Sequence, residues 1–107
     1  MAAEFILSFN DGNWYSTNRD LIDEKIQLLT TFSKRIDEEY WLLGIEERGV
    51  PGRWEFDVRL FLRKSEIFIE ISSHPRTIEL DLISLFSWIR EKTQITIQDE
   101  DGEPTDW

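Results

Sequence analysis

Between residues 54 and 72, apolar side chains recur at every second position. That period fits extended chain with one face turned away from water. Trp54, Phe56, Val58, Leu60 and Leu62 alternate with Glu55, Asp57, Arg59 and Phe61. After a short Lys64-Ser65 turn, Ile67, Ile69 and Ile71 alternate with Glu66, Phe68 and Glu70. The spacing predicts an antiparallel hairpin with strands over 54–62 and 66–72. The polar face carries both signs of charge, so Arg59 and the acids are placed to pair across strands.

The flanking sequence supplies the other elements. Phe5, Leu7 and Phe9 alternate with Ile6, which predicts a strand over 4–9 that is central or covered on both sides. Asn10-Asp11-Gly12-Asn13 is a turn signal. Thr17 followed by Asp20 predicts a helix start. Leu21, Ile22, Ile26, Leu29, Phe32 and Ile36 then recur at helical spacing, so the helix is read through Ile36. A strand is expected over 40–47, followed by a Gly- and Pro-rich loop over 48–53. Leu82, Leu85, Phe86 and Ile89 mark a second helix that begins after Pro75 and ends near Lys92, and Ile95, Thr96 and Ile97 mark a last short strand. The resulting order, β-α-β-β-β-α-β, predicts an α+β fold. About five strands form a mainly antiparallel sheet with both helices on one face, a ferredoxin-like arrangement or a relative of it.

The chain of 107 residues reads as a single domain over 1–107, with 100–107 an acidic C-terminal tail. With no cysteine, neither a disulfide framework nor a thiolate metal site can hold it together. No apolar run approaches the roughly 20 residues that span a bilayer. The stretch MAAEFILSFNDG has no basic residue and an apolar run only from Phe5 to Phe9, so a secretory signal is not expected in it. A cytoplasmic protein is the expectation. The balance of 22 acids against 12 bases gives a net charge of −10. Such a surface repels nucleic acid and anionic lipid and steers basic proteins toward it.

Equipment for catalysis is sparse. His74 is the only histidine and lies in a strand-to-helix loop, and no G-x-S-x-G nucleophile turn accompanies it. Asp37-Glu38-Glu39, Glu46-Glu47 and Asp99-Glu100-Asp101 are local acidic runs rather than two acids set across a cleft. Asp99-Glu100-Asp101-Gly102 is similar to the start of a calcium loop but lacks the third acidic ligand before its glycine. The expectation is a non-enzyme without cofactor or metal. Residues 99–106 hold five acids and no base: Asp99, Glu100, Asp101, Glu103 and Asp106. They form either a solvated tail or, with Trp107 as an apolar anchor, a recognition strip for Lys and Arg on a partner. Asp11, Trp14 and Tyr15 form either a second candidate contact, because aromatics beside acids are what binding hot spots use, or an amphipathic cover on the core edge. Glu46 and Glu47 form a third. Trp41 is expected in the core, and Trp54 and Trp88 in it or half-buried.

The segments DLISLFSWIR (Asp81 to Arg90) and ITIQDEDGEP (Ile95 to Pro104) resemble those of small bacterial immunity proteins of contact-dependent growth inhibition and related polymorphic toxin systems. The resemblance implies a cytosolic protein that binds a cognate toxin, often a nuclease, and masks its active site or substrate surface. No site residue carries over, because such families share no fixed site. Two other readings stand beside it. One is an acidic nucleic-acid mimic that blocks a DNA- or RNA-binding protein. The other is a small ligand-binding domain, which a deep pocket at His74 or at two buried carboxylates would support. The sequence leaves the oligomeric state open.

Overall fold

The computed structural model describes residues 3–49, 51–52 and 55–107, and only the backbone of Glu47. In chain order the elements are β1 (Ala3–Phe9), α1 (Gly12–Gln27), β2 (Phe32–Ile36), β3 (Glu39–Leu42), a 3₁₀ turn (Ile45–Glu47), β4 (Val58–Leu62), β5 (Glu66–Ile71), α2 (Arg76–Lys92) and β6 (Ile95–Gln98). The strands form one sheet in the order β2-β3-β4-β5-β1-β6, and every neighbouring pair is antiparallel. The expected α+β architecture is present: a meander runs from β2 to β5, and β1 is inserted between β5 and β6. The sheet has six strands, one more than the sequence pattern suggests.

Register decides which face is dry. Leu7 lies between Ile67 and Ile97, Leu60 between Tyr40 and Ile69, and Val58 between Leu42 and Ile71. All of these point to one side. Tyr15, Ile22 and Ile26 of α1 and Ile78, Leu82, Leu85, Phe86 and Ile89 of α2 join them in a single buried cluster. Each such side chain contributes about 1.5–3 kcal/mol on burial, so this one layer carries the fold. The other face of the sheet holds Ile6, Trp41, Arg59, Phe61, Phe68 and Glu70, all half-buried.

The sixth strand comes from the region read as the end of the first helix. The helix starts earlier and stops earlier than expected. Asp11 is its N-cap, accepting from the backbone N–H groups of Asn13 and Trp14. The Thr17 to Asp20 signal coincides instead with a kink at Asn18, whose φ is −111°. The helix closes at Gln27 because the N–H of Thr31, which a longer helix would need for itself, is donated to Asp81 of α2 at 2.8 Å. The Thr31 hydroxyl donates to the same carboxylate oxygen at 2.6 Å, and Thr31 is fully buried. Phe32 and Ile36, although helically spaced from Leu29, therefore begin and end a strand. Asp37, with φ 55°, makes the tight turn into β3.

Two further boundaries move. The strand expected over 40–47 ends at Leu42, and a 3₁₀ turn follows. The strand expected from Trp54 is described from Val58, and its first position, like Val50 and Arg53 of the preceding loop, lies outside the described residues. Asp57, expected on the polar face, is buried at a corner. Its carboxylate accepts from Gly44 N–H at 2.9 Å, and its carbonyl accepts from the N–H groups of Ser72 and Ser73. Trp41, expected in the core, lies on the open face. Its indole N–H donates to Glu39 at 2.7 Å.

Candidate functional site

Of the three expected contact groups, the structure withdraws most of the Asp11–Tyr15 group and of the Glu46–Glu47 group. Asp11 is exposed, but its carboxylate is held as the α1 cap. Trp14 stacks on Phe9, with ring centroids 6.1 Å apart. Tyr15 cannot serve as a contact: it is fully buried, and its hydroxyl donates to the carbonyls of Arg63 at 2.6 Å and Glu66 at 3.3 Å. The earlier helix start puts Tyr15 two and three turns before Ile22 and Ile26, on the same inward face. Burial pushes the Tyr15 pKa up from 10.0 to about 12.

Glu46 has an internal role. Its carboxylate accepts from the Thr77 hydroxyl and, at 2.9 Å, from the Thr77 N–H. The cap residue of α2, Pro75, makes no side-chain cap bond, so Glu46 does this work from a distant loop. These bonds, the hydroxyl first and the N–H second, hold its carboxyl below its ordinary pKa. The side chain of Glu47 lies outside the described residues.

The C-terminal acidic group stays on the surface. Asp99 folds residues 99–103 into a turn, accepting from the N–H groups of Asp101 and Glu103 at 2.9 and 3.0 Å. Gly102 supplies the positive φ this turn requires, 80°. The chain then runs back along β6: Gln98 bridges Pro104, and Thr105 N–H donates to Ile97 C=O at 3.0 Å. The acidic segment is thus an ordered hairpin arm rather than a loose tail. Glu100 accepts from Glu4 N–H at 3.2 Å. Asp101, Glu103 and Asp106 are exposed and their carboxylates have no partner among the described residues. Trp107 turns inward, edge-on to Phe5 and Phe86 at 6.4 and 6.2 Å, and remains partly exposed.

The bases are distributed differently. Arg19 donates to Leu62 C=O, Arg35 to Asp37 C=O and Asp23, and Arg48 to Leu43 C=O and Thr31 C=O. Arg59 joins Glu70 and Glu39 on the open sheet face, between the rings of Phe56 and Phe61. Lys34 sits over Trp41 and Arg63 over Phe68. This ladder of cations on aromatic rings went unread in the sequence. Only the strand register reveals it, although Lys34, Trp41, Arg59, Phe61 and Phe68 all occupy polar-phase positions. Lys64, Arg76, Arg90 and Lys92 are exposed like the acids of the hairpin arm, but none lies on the arm itself, which carries five acids and no base.

Other surfaces are less equipped. A cleft of about 330 Å³ between α1 and the β2–β3 edge is lined by Arg19, Asp23, Arg35, Glu38 and Tyr40. Its groups satisfy one another: Tyr40 O–H donates to Asp23, which also pairs with Arg35 at 2.7 Å. Burial first, and this bond second, push the Tyr40 pKa up. His74 is exposed and lies 2.9 Å from Glu79. Among the described residues no group of three or more His, Cys, Asp or Glu is placed to hold a metal ion, and no helix is long and apolar enough to cross a membrane. The chain matches no protein-family model, and no curated protein or solved structure is significantly similar to it.

Proposed function

We propose that this domain is an immunity-type binding protein that neutralises a basic, nuclease-type protein toxin in the cytoplasm, using the acidic arm after β6 as its principal contact. The observation that carries the reading is the asymmetry of charge. Arg19, Arg35 and Arg48 are tied to acceptors within the fold, while Asp101, Glu103 and Asp106 stand unpaired on an arm that carries no base. Acids held on a rigid element lose little conformational entropy on meeting Lys or Arg, and they steer the encounter from a distance. Their concentration on one arm favours this reading over a nucleic-acid mimic, which calls for carboxylates evenly spaced along a surface. The open sheet face, where Arg59 balances Glu39 and Glu70, offers no such series.

The test is co-expression with the product of the neighbouring upstream gene, followed by co-purification. Protection and a stable complex are expected. The variant Glu100→Gln/Asp101→Asn/Glu103→Gln/Asp106→Asn should slow association by about tenfold or more at low salt while leaving the fold intact. No protection and no complex with a neighbouring basic product would end the proposal.

A further inference from the structure

The inward stripe of α2 is Ile78, Leu82, Leu85, Phe86 and Ile89, all buried. Leu80 and Ile83 are out of phase with it and stand 50% and 53% exposed. They are three residues apart, hence neighbours on the helix surface. Residues 105–107 pass beside Ile83. Thr105 is fixed to Ile97 C=O through both its N–H and its hydroxyl, and its hydroxyl oxygen accepts from Trp107 N–H. The Trp107 ring is therefore held with its edge toward Phe5 and Phe86, and it lines a groove of about 390 Å³ together with Ile83, Thr105 and Asp106. The floor is apolar and already formed, and the unpaired carboxylate of Asp106 stands at its lip.

We propose that this groove receives an apolar side chain of a basic protein partner, one flanked in its own sequence by lysine or arginine. The inference rests on the acidic-arm reading above and names the place and chemistry of the contact. Charge selects the occupant. A second copy of this chain would bring another net −10 to the lip, and an anionic lipid surface would be repelled in the same way. A cationic segment gains from both features: its apolar residue covers Ile83 and Trp107, and its charges meet Asp106 and Glu103. A partly exposed tryptophan is also the residue type that dominates binding energy at such contacts.

The experiment uses ¹⁵N-labelled full chain and two synthetic peptides of about 18 residues, or five helical turns. One carries leucines on one helical face and lysines on the other; the second has the same composition scrambled. The amphipathic peptide should shift the amide resonances of Leu80, Ile83, Thr105 and Trp107. It should bind at least about tenfold more tightly than the scrambled one, and Ile83→Glu should remove that advantage. Asp106→Lys, at an exposed position outside the core, should weaken it too and serves as the second variant if Ile83→Glu perturbs the fold. Equal binding of both peptides with no effect of either variant overturns the groove and leaves the acidic-arm reading standing. So do shifts confined to the open sheet face. No binding of either peptide at low salt overturns both.

Discussion

The chain has two tyrosines, and the structure takes both out of water. For Tyr15 the pKa rises from 10.0 to about 12, so the folded state holds the neutral phenol. A raised folded pKa gives stability that is complete below the unfolded value and is lost as pH climbs from about 10 toward 12. Tyr40 moves in the same direction. Alkaline titration of the folded protein should therefore show no phenolate absorbance near pH 10 (an exposed tyrosine's value) and then a single rise that coincides with unfolding by circular dichroism. A reversible step near pH 10 before unfolding would place one ring in solvent. Glycines make a second test at this scale. A Cβ on Gly44 would lie 2.6 Å from the Pro75 ring and 3.1 Å from Asp57, whereas one on Gly12 would meet nothing within 4 Å. Gly44→Ala should cost about 1–3 kcal/mol in urea denaturation, the usual range for overpacking. Gly12→Ala should stay within about 0.5 kcal/mol of wild type. Equal effects would refute the close approach. Neither environment was legible in the sequence. Tyr15 follows a turn signal and so read as surface, although Asp11 three residues before Trp14 already had the spacing of an N-cap.

At the scale of elements, the hairpin β4–β5, the helix α2 and the strand β6 were legible because each repeats a local period with turn residues at its ends. The end of α1 was not. Leu29, Phe32 and Ile36 keep helical spacing, and the same residues serve a loop and a strand once the backbone extends. What decides between them is Asp81, 50 positions away from Thr31, which takes both of that residue's donors. Asp81→Ala would leave a buried hydroxyl and a buried N–H without an acceptor, at a cost of about 1–3 kcal/mol. Thr31→Val removes only the hydroxyl and should cost less. A double-mutant cycle by urea denaturation should give a coupling energy clearly different from zero. If Asp81→Ala matches wild type within about 0.5 kcal/mol, the carboxylate is not what ends the helix. The acidic arm was half legible in the same way. Its charge is plain in residues 99–106, but its order depends on pairing with β6 and on Trp107 reaching Phe5 and Phe86.

For the whole molecule, net charge and internal pairing pull against each other. Exposed ion pairs are worth about 0–1 kcal/mol each, so Arg35–Asp23 and Arg63–Glu66 offset only part of the repulsion produced by a net charge of −10. The molecule measures 43 × 29 × 23 Å. At about 0.01 M salt the screening length is about 30 Å, so acids on the arm and on both helices repel across the entire body; at about 0.1 M it falls to about 10 Å and only near neighbours interact. Added salt should therefore stabilise the fold. A gain of about 1 kcal/mol corresponds to roughly 4–8 °C in melting temperature for a domain of this size. Asp101→Asn/Glu103→Gln/Asp106→Asn should raise the melting temperature at low salt and flatten its salt dependence. A melting temperature that falls with salt would mean that the ion pairs outweigh the repulsion. Association with a basic partner must respond with the opposite sign, because the same screening removes the steering field. On the proposed function, one salt series thus separates two roles of the acids, weakening the isolated fold and strengthening the complex, and neutralising the arm should diminish both effects together.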